Sequence, residues 1–470
     1  MRYISTRGEA PVLSFSDAVL AGLARDGGLY LPETWPQLSK ESIAAFAGKP
    51  FHEVAFAVLK PFVAGEIADA DLLLMLQEAY AGFDHPAVTP LHQIDSTTFV
   101  LELFHGPTLA FKDVAMQLLA RLMDHILAKR GLRATIVGAT SGDTGGAAVE
   151  AFRSSQRVDV MILYPQGRVS DVQRRMMTTP TEANIHAIAI DGTFDDCQAL
   201  VKGMFNHHAF RDRVKLSGVN SINWGRIVAQ VTYYFVAAVA LGAPHRCVSF
   251  AVPTGNFGDI FAGHVARQMG LPIETLQIAT NSNDILARTL SSGTYEMQQV
   301  VATSSPSMDI QISSNFERWL FEAAERDSSV IRQQMAALAQ GRRFDLTARQ
   351  ITAMRAEFGA MRASEAAVAD AIRRVKATSG YLLDTHTACG IVAFDAMGPS
   401  KGTPRVVLAT AHPAKFPDAM QEITGERPKL PTRLATLLTD AERITMLPND
   451  IREVERFVED NARAIHGAAA

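Results

Sequence analysis

One lysine, Lys112, has the sequence surroundings of a reactive amine. It lies in the segment His-Gly-Pro-Thr-Leu-Ala-Phe-Lys-Asp at residues 105–113, where a turn leads into a helix predicted to run to about residue 129. The positive end of a helix dipole disfavours an ammonium group in the first turn, and the three apolar residues before the lysine would partly exclude water. Because both effects lower the pKa of a lysine, Lys112 is a candidate nucleophile for imine formation. The alternative is an exposed lysine paired with Asp113.

Two glycine-rich segments have the pattern of anion-binding loops. Residues 138–146 (Gly-Ala-Thr-Ser-Gly-Asp-Thr-Gly-Gly) and residues 253–259 (Pro-Thr-Gly-Asn-Phe-Gly-Asp) each follow a predicted strand and precede a predicted helix. Small residues let the backbone approach an anion, and the helix N-terminus points free N–H groups at it. The first segment lacks the Gly-Lys-Ser/Thr of nucleotide hydrolases and the G-x-G-x-x-G dinucleotide pattern. We therefore expect a ligand with an anionic group at each end, or two ligands bound together. A glycine-rich turn without a ligand is the alternative for the first segment.

Two shorter segments add polar side chains to this set. Residues 220–226 (Asn-Ser-Ile-Asn-Trp-Gly-Arg) open a long apolar helix, where capping side chains and a guanidinium group could bind a phosphate through charge-assisted hydrogen bonds. Thr410 follows the predicted strand 405–409 and could exchange a hydrogen bond with a heterocycle. The alternative in each case is an ordinary helix start.

The composition argues against several classes of protein. With 45 Lys and Arg against 49 Asp and Glu in 470 residues, the formal net charge is −4, and no global basic field is available for nucleic acid or an anionic membrane. The three cysteines are too scattered for a disulfide framework or a zinc cluster, which favours a reducing compartment. The histidines show no metal-ligand spacing, so no metal is expected. Because no signal-peptide core follows Met1, we expect a cytoplasmic protein whose chain starts there.

One uncharged stretch, Ile227 to Pro244, is long enough to raise the question of a membrane span. Its polar residues and many alanines make it only mildly apolar, and no second such segment could pack against it. We therefore predict a helix buried in a large core.

Beyond residue 90, short β-rich runs alternate with helical ones, which is typical of an α/β architecture with largely parallel sheets. Ligands then bind at the carboxyl ends of the strands. Residues 315–377 are predicted to form a solvated helical layer, and the final Gly-Ala-Ala-Ala a frayed tail. The predicted strands are Phe99–Phe104, Thr135–Gly138, Val158–Leu163, Ile185–Ile190, Val248–Val252, Ile273–Ile278 and Arg405–Ala409.

Together these motifs resemble the pyridoxal-phosphate-dependent threonine synthases of the tryptophan-synthase-β-like fold class. The resemblance runs nearly end to end, since the opening Tyr-Ile-Ser-Thr-Arg at 3–7 and Gly-Leu-Ala-Arg-Asp-Gly-Gly-Leu-Tyr at 22–30 precede the other motifs in the family's order. It implies a fold-type II architecture of the longer branch, with two open, largely parallel α/β domains and a mostly helical N-terminal domain. The implied domains are the N-terminal domain at 1–90, the cofactor-binding domain at 91–130 and 245–470 with a helical insertion at 315–377, and a smaller mobile domain at 131–244.

The resemblance also implies a role for individual residues. Lys112 would form the imine with pyridoxal 5'-phosphate, Thr410 would be the hydroxyl partner of the pyridine nitrogen, and Asp143 would lie near the ring hydroxyl, where the wider fold class usually has asparagine. The cofactor phosphate would be held by Thr254, Gly255, Asn256, Phe257 and Gly258. The substrate carboxylate would be bound by Thr140, Ser141, Gly142 and Thr144, and the substrate phosphate by Asn220, Ser221, Asn223 and Arg226.

The reaction implied by the resemblance converts O-phospho-L-homoserine and water to L-threonine and phosphate, the last step of threonine biosynthesis. Phosphate is eliminated from Cγ and water adds at Cβ, which makes the protein a carbon–oxygen lyase, expected as a monomer or homodimer. Alternatives are a serine or threonine dehydratase, a phospho-amino-acid lyase, or a binding module that keeps the cofactor without turnover. The phosphate-binding cluster at 220–226 argues against dehydratases, and the intact Lys112 argues against a silent module. An ATPase is the most distant alternative.

Overall fold

Two large β-sheets carry most of the predicted motifs. The structure is a computed structural model, and it describes residues 1–466. The tail prediction for residues 467–470 lies outside the described residues. The strands, in chain order, are β1 (Tyr3–Ser5), β2 (Tyr30–Pro32), β3 (Leu91–Gln93), β4 (Thr98–Glu102), β5 (Ala134–Ala139), β6 (Val158–Pro165), β7 (Ile185–Ile190), β8 (Leu216–Ser217), β9 (Val248–Pro253), β10 (Ile273–Thr280), β11 (Thr294–Glu296), β12 (Arg343–Asp345), β13 (Phe358–Arg362), β14 (Arg405–Ala409) and β15 (Thr445–Leu447).

Helices cover the sheets and build the N-terminal part of the chain. Short 3-10 turns occur at Pro306–Met308, Pro413–Lys415 and Thr432–Leu434. The α-helices are α1 (Phe15–Ala21), α2 (Lys40–Ala44), α3 (Phe51–Val63), α4 (Asp69–Tyr80), α5 (Lys112–Arg130), α6 (Asp143–Phe152), α7 (Asp171–Thr178), α8 (Phe194–Asn206), α9 (His208–Arg213), α10 (Trp224–Ala240), α11 (Gly258–Gln268), α12 (Ile285–Ser292), α13 (Phe316–Ala323), α14 (Ser328–Gly341), α15 (Ala348–Glu357), α16 (Glu365–Ser379), α17 (Thr385–Asp395), α18 (Pro417–Thr424), α19 (Ile451–Asn461) and α20 (Arg463–His466).

The larger sheet has six strands in the order β13-β10-β9-β14-β4-β3, and all neighbours are parallel except β3 and β4. The smaller sheet has five parallel strands in the order β15-β7-β6-β5-β8. Every residue of β6 and β9 is buried, as expected for parallel strands covered by helices on both faces. The predicted fold class is therefore confirmed. Since the parallel strands of each sheet run in one direction, their carboxyl ends lie at one edge, where loops can meet.

The uncharged stretch forms α10, which is buried along almost its whole length and packs against α3, α5 and α11. The predicted buried helix is confirmed, although it extends from Trp224 only to Ala240. In the part of the chain that the structure describes, no helix is both long and apolar enough to cross a membrane.

Three details of the expected domain organisation are corrected by the sheets. The last strand, β15, pairs with β7, and α19 buries Val454 and Val458 in the core of the smaller sheet, so residues 445–461 do not belong with the larger one. The supposed helical insertion at 315–377 contains β13, the edge strand of the larger sheet, paired with β10. Helix α10, expected in the smaller domain, packs on α11 beside the larger sheet.

The candidate active site

Lys112 is the first residue of α5, and the loop before it is held against the end of β14. Ala110 pairs with Ala411 in an isolated antiparallel bridge, and the N–H of Phe111 donates to the carbonyl of Thr410 at 2.8 Å. This contact brings the lysine and Thr410, two residues from distant motifs, to the same edge of the larger sheet. The alternative pairing of Lys112 with Asp113 is not observed, because Asp113 accepts hydrogen bonds from the hydroxyl and N–H of Thr108.

The Lys112 amine faces Asp143, the first residue of α6. Its Nζ lies 3.4 Å from Asp143 Oδ2, and both side chains are buried. Burial lowers the pKa of Lys112; Asp143 opposes that change, whereas the cations of Lys415 and Arg226 add to it. The pKa of Lys112 therefore lies below its ordinary value, so a larger fraction of this amine is uncharged than in a free lysine. This is the electronic condition for an imine-forming nucleophile that the sequence predicts.

Asp143 is the centre of a network that includes three residues missed by sequence reasoning. Lys415 Nζ lies 2.6 Å from its Oδ1, Gln173 Nε2 donates to Oδ1 at 2.9 Å, and the Ser307 hydroxyl donates to Oδ2 at 2.8 Å. Burial alone would raise the pKa of Asp143, but the cations of Lys415 and Lys112 hold it well below the usual value. The carboxylate is therefore ionised and fixed in place.

The glycine at 142 allows the close approach of Gln173 to this network. Its φ is +138°, and an added Cβ would lie 2.5 Å from the side-chain amide carbon of Gln173. Both the backbone conformation and the space therefore require glycine. In the same loop the Thr140 hydroxyl accepts from the N–H groups of Gly142 and Gly145, each at 2.9 Å. The N–H groups of Ser141, Asp143 and Thr144 donate to no acceptor within residues 1–466.

The second loop, residues 254–258, presents free backbone donors at the N-terminus of α11. The N–H groups of residues 255–258 have no acceptor among the described residues, and the cap residue Phe257 is in the left-handed region with φ +62°. The carbonyls of Gly255 and Asn256 instead accept from Ser313 and Asn315, so the N–H groups point away from those contacts. Thr254 is buried and its hydroxyl donates to its own strand at Val252. Four free N–H groups at a helix N-terminus are the donor set that a phosphate requires.

The segment 220–226 lies beside this loop, because Asn315 Nδ2 donates to both Ser221 O and Asn256 O. Asn220 is exposed and Ser221 half-buried, so both are accessible. Arg226 is buried, its Nη1 donates to Val219 O at 3.3 Å, and its Nε has no partner among the described residues. Burial lowers its pKa to about 10, which leaves a cation with unused donors.

Asn223 is placed differently from the other members of that cluster. Its Nδ2 donates to Val19 O and Gly218 O, and its Oδ1 accepts from the N–H of Gly225 as the cap of α10. The amide is thus fully used within the protein, and it ties the segment to the N-terminal part of the chain. Within residues 1–466 no group of three or more His, Cys, Asp or Glu side chains is arranged to hold a metal ion.

The chain is similar to known proteins over nearly its whole length. The family profile described as Pyridoxal-phosphate dependent enzyme matches residues 83–410, Threonine synthase N terminus matches 2–80, and Threonine synthase, C-terminal matches 387–458. Threonine synthase from Pseudomonas aeruginosa is 52% identical over 462 residues, 98% of each chain. The crystal structure of threonine synthase from Brucella melitensis with bound pyridoxal phosphate has a TM-score of 0.96 at 60% identity, covering 98% of this chain and 100% of that one. For the yeast threonine synthase structure the TM-score is 0.92 at 38% identity, with 98% of each chain covered.

These matches and the α/β fold place the chain among the pyridoxal-phosphate-dependent enzymes. Within that class it belongs to the threonine synthase family. The resemblance expected from the motifs is confirmed, and so are the fold-type II architecture, the cofactor pyridoxal 5'-phosphate and the lyase reaction that forms threonine.

Proposed function

We propose that the carboxyl edges of the two sheets form one active site, in which the residues assembled above convert O-phospho-L-homoserine and water to L-threonine and phosphate. The observation that carries the assignment of roles is the buried Lys112 amine. It stands at the N-terminus of α5 and faces the ionised Asp143, and the N–H of Phe111, the residue before it, donates to the carbonyl of Thr410, directly after β14. Such an amine is suited to covalent attachment of an aldehyde cofactor.

The donor set fits pyridoxal phosphate. Lys112 would hold its aldehyde carbon, and the free N–H groups of residues 255–258 would hold its phosphate, with Thr254 lining the loop. Thr410 is buried with its hydroxyl bonded to no described residue, so that it can reach the ring nitrogen, and Asp143 would face the ring hydroxyl. When bound, this cofactor supplies an electron sink for charge that develops at the substrate's Cα.

The substrate's two anionic groups have separate binding loops. The free N–H groups of Ser141, Asp143 and Thr144, supported by Thr140 and Gly142, are assigned to the carboxylate. Asn220, Ser221 and the guanidinium of Arg226 are assigned to the phosphate. We place Asn223 in a supporting role, since its amide caps α10 and bonds to Val19.

Lys112 also serves as the proton carrier. Once its amine is free, the lowered pKa raises the uncharged fraction of Nζ, and the uncharged Nζ can accept the proton from Cα. Water has to enter only for the final addition at Cβ. We infer that the smaller sheet and its helices, the domain that carries Asp143, close over the larger sheet to exclude water before that step.

The test of this proposal is the product formed from O-phospho-L-homoserine. The enzyme is expected to release phosphate and threonine in equal amounts, whereas a phospho-lyase would release a keto acid. The Lys112→Ala variant should fold, bind no cofactor covalently and form no threonine. Full activity in that variant, or a keto acid as the product of the parent enzyme, would contradict the proposal.

We further propose a cytoplasmic enzyme that is a monomer or homodimer and binds neither nucleic acid nor membrane. The support is chemical: Cys197, Cys247 and Cys389 are free thiols, and Cys247 is exposed, which suits a reducing compartment. Light scattering after size-exclusion chromatography measures the mass of the assembly, and a species larger than a dimer would contradict this part.

A further inference from the structure

Lys415 is a second buried lysine at the site, and the sequence motifs gave it no role. Its side chain is fully buried, and its Nζ has two partners, Asp143 Oδ1 at 2.6 Å and the carbonyl of Thr108 at 2.9 Å. A buried ammonium group is costly unless a countercharge and hydrogen bonds compensate it, and here both are supplied. The residue therefore has a fixed position between the Asp143 loop and the turn that precedes Lys112.

The two lysines share one carboxylate unequally. Lys415 lies 2.6 Å from Oδ1 of Asp143, whereas Lys112 lies 3.4 Å from Oδ2, and Oδ2 also accepts a hydrogen bond from Ser307. The shorter ion pair belongs to the lysine that is anchored a second time at Thr108. The amine that has to react is left with the longer and weaker contact.

From this geometry we propose that Lys415 is a positioning residue that occupies Asp143 permanently and so leaves the Lys112 amine free to react uncharged. The proposal rests on the reactive role of Lys112 and goes beyond it, because it assigns the tuning of that amine to a different side chain. Lys415 does not itself take part in bond formation in this scheme. It acts through the carboxylate and through its own positive charge.

The other charged groups around the pair do not replace Lys415. Arg226 on α10 and Lys415 both lower the pKa of Lys112, whereas Asp143 raises it. Asp113 on α5 is bonded to Thr108, and burial raises its pKa to about 6. The carboxyl group of Asp259 on α11 accepts hydrogen bonds from the hydroxyls of Tyr233 and Tyr234, and burial raises its pKa to about 7.

One further titratable group approaches from α17. His386 accepts the N–H of Ser307 at Nε2, and its Nδ1 lies 3.1 Å from Asp384. The imidazole is thus bonded on both sides and meets Asp143 only through Ser307. Of the groups around the site, Lys415 is the cation in direct contact with the carboxylate that Lys112 faces.

The experiment measures how fast pyridoxal phosphate forms an imine with the full-length, cofactor-stripped enzyme between about pH 6 and pH 10, followed by absorbance. In Lys415→Met, Asp143 retains only Lys112 as a cationic partner and one nearby cation is lost, so the pKa of Lys112 rises. The rate at pH 7 should then fall roughly tenfold, and the loss should shrink at the alkaline end of the range, where the pH exceeds the pKa of the parent's amine, because only the uncharged amine reacts. A purely structural defect would lower the rate equally at every pH.

Two variants separate charge from packing. Lys415→Gln keeps a donor for the Thr108 carbonyl but lacks the charge, and should show the same pH-dependent loss as Lys415→Met. Lys415→Arg keeps the charge and should react nearly as the parent enzyme does. Circular dichroism establishes that each variant is folded before the rates are compared.

A double-mutant cycle tests the route through Asp143. In an Asp143→Asn background there is no carboxylate to share, so Lys415→Met should have a smaller effect on the rate than it has alone. An equal effect in both backgrounds, a loss that is independent of pH, or unchanged rates in Lys415→Gln would each overturn the proposal. Lys112→Ala distinguishes this failure from that of the proposed function: it forms no imine if Lys112 is the attachment site, whatever Lys415 does.

Discussion

At the scale of single residues, the candidate site consists of one buried amine, Lys112, and of groups that the fold brings to Asp143 from remote parts of the chain. Lys112 could be singled out because its turn, its helix position and its apolar neighbours are all local. Lys415 lies shortly after Thr410 in the sequence, yet its burial depends on Thr108 and Asp143, which are remote from it in sequence. Gln173 and Ser307 follow the same rule, since only the fold brings them to one carboxylate.

Arg226 gives the first prediction at this scale. Its Nε is buried and has no partner in the part of the chain that the structure describes, so a substrate phosphate would supply the missing acceptor. Arg226→Ala should raise the KM for O-phospho-L-homoserine by the equivalent of about 2–5 kcal/mol, which is roughly thirtyfold or more. Arg226→Lys keeps a charge but loses the bidentate geometry, so its KM should lie between those of the parent enzyme and Arg226→Ala. Steady-state kinetics measure the effect, and an unaltered KM in the alanine variant would place the phosphate elsewhere.

Asp259 gives a prediction about pH. Burial raises its pKa to about 7, although hydrogen bonds from Tyr233 and Tyr234 oppose the change. A carboxyl group whose pKa is higher in the folded than in the unfolded state binds more protons when folded, so its contribution to stability is lost as pH rises from about 4 to about 7. The Asn variant cannot ionise. The melting temperature of Asp259→Asn relative to the parent should therefore increase over this range and level off above it.

The control for that experiment is Asp370→Asn, which removes one exposed carboxylate from α16. Thermal unfolding of the three proteins is followed at several pH values in one ionic strength. If the difference between Asp259→Asn and the parent were the same at pH 5 and pH 8, the carboxyl group would not be protonated in the folded enzyme.

At the scale of elements, strands with continuous apolar runs were predictable and short edge strands were not. β7 and β14 have the predicted bounds, and β5, β6, β9 and β10 extend the predicted runs by one or two residues at their ends. β13 was missed because it follows α15 without a turn and is mostly half-buried at the sheet edge. β15 has three residues, too few to show a period.

Asn315, the residue before α13, carries the prediction for this scale. It is buried and ties the loop at 254–258 to the segment at 220–226 through Asn256 O and Ser221 O. Asn315→Ala should weaken cofactor binding roughly tenfold, since buried hydrogen bonds of this kind are worth about 1–3 kcal/mol. Absorbance titration with pyridoxal phosphate measures the dissociation constant.

Asn184 offers a matched control for Asn315. It is also buried and donates to two backbone carbonyls, Phe152 O and Val158 O, but it lies directly before β7 of the smaller sheet. Asn184→Ala should lower the melting temperature without changing cofactor affinity. Equal losses of affinity in both alanine variants would show that α13 has no specific part in holding the loop.

At the scale of the whole molecule, the two-sheet architecture followed from the alternation of strands and helices, whereas the path of the C-terminal segment did not. After α18 the chain crosses to the smaller sheet, where Arg174 and Thr178 bond to Glu442 before β15 joins β7. These pairings join positions more than 200 residues apart, for which no local pattern exists.

The consequence is testable at Val458 on α19, which is buried in the core of the smaller sheet. Val458→Ala should destabilise that unit by about 2 kcal/mol or more through lost burial and an unfilled cavity. Relative to the parent protein, hydrogen exchange in this variant should accelerate more in β5, β6 and β7 than in β9, β10 and β14. Val300→Ala, at an exposed valine, is the control. Faster exchange centred on the larger sheet would contradict the assignment of α19 to the smaller sheet.

The most direct test of the whole account is to locate the covalent link between enzyme and cofactor. Reduction of the enzyme with bound pyridoxal phosphate by borohydride makes the link permanent, and peptide mass spectrometry then identifies the modified lysine. We expect the label on Lys112 alone. A label on Lys415, the other buried lysine of the site, or no label on any lysine would contradict the mechanism.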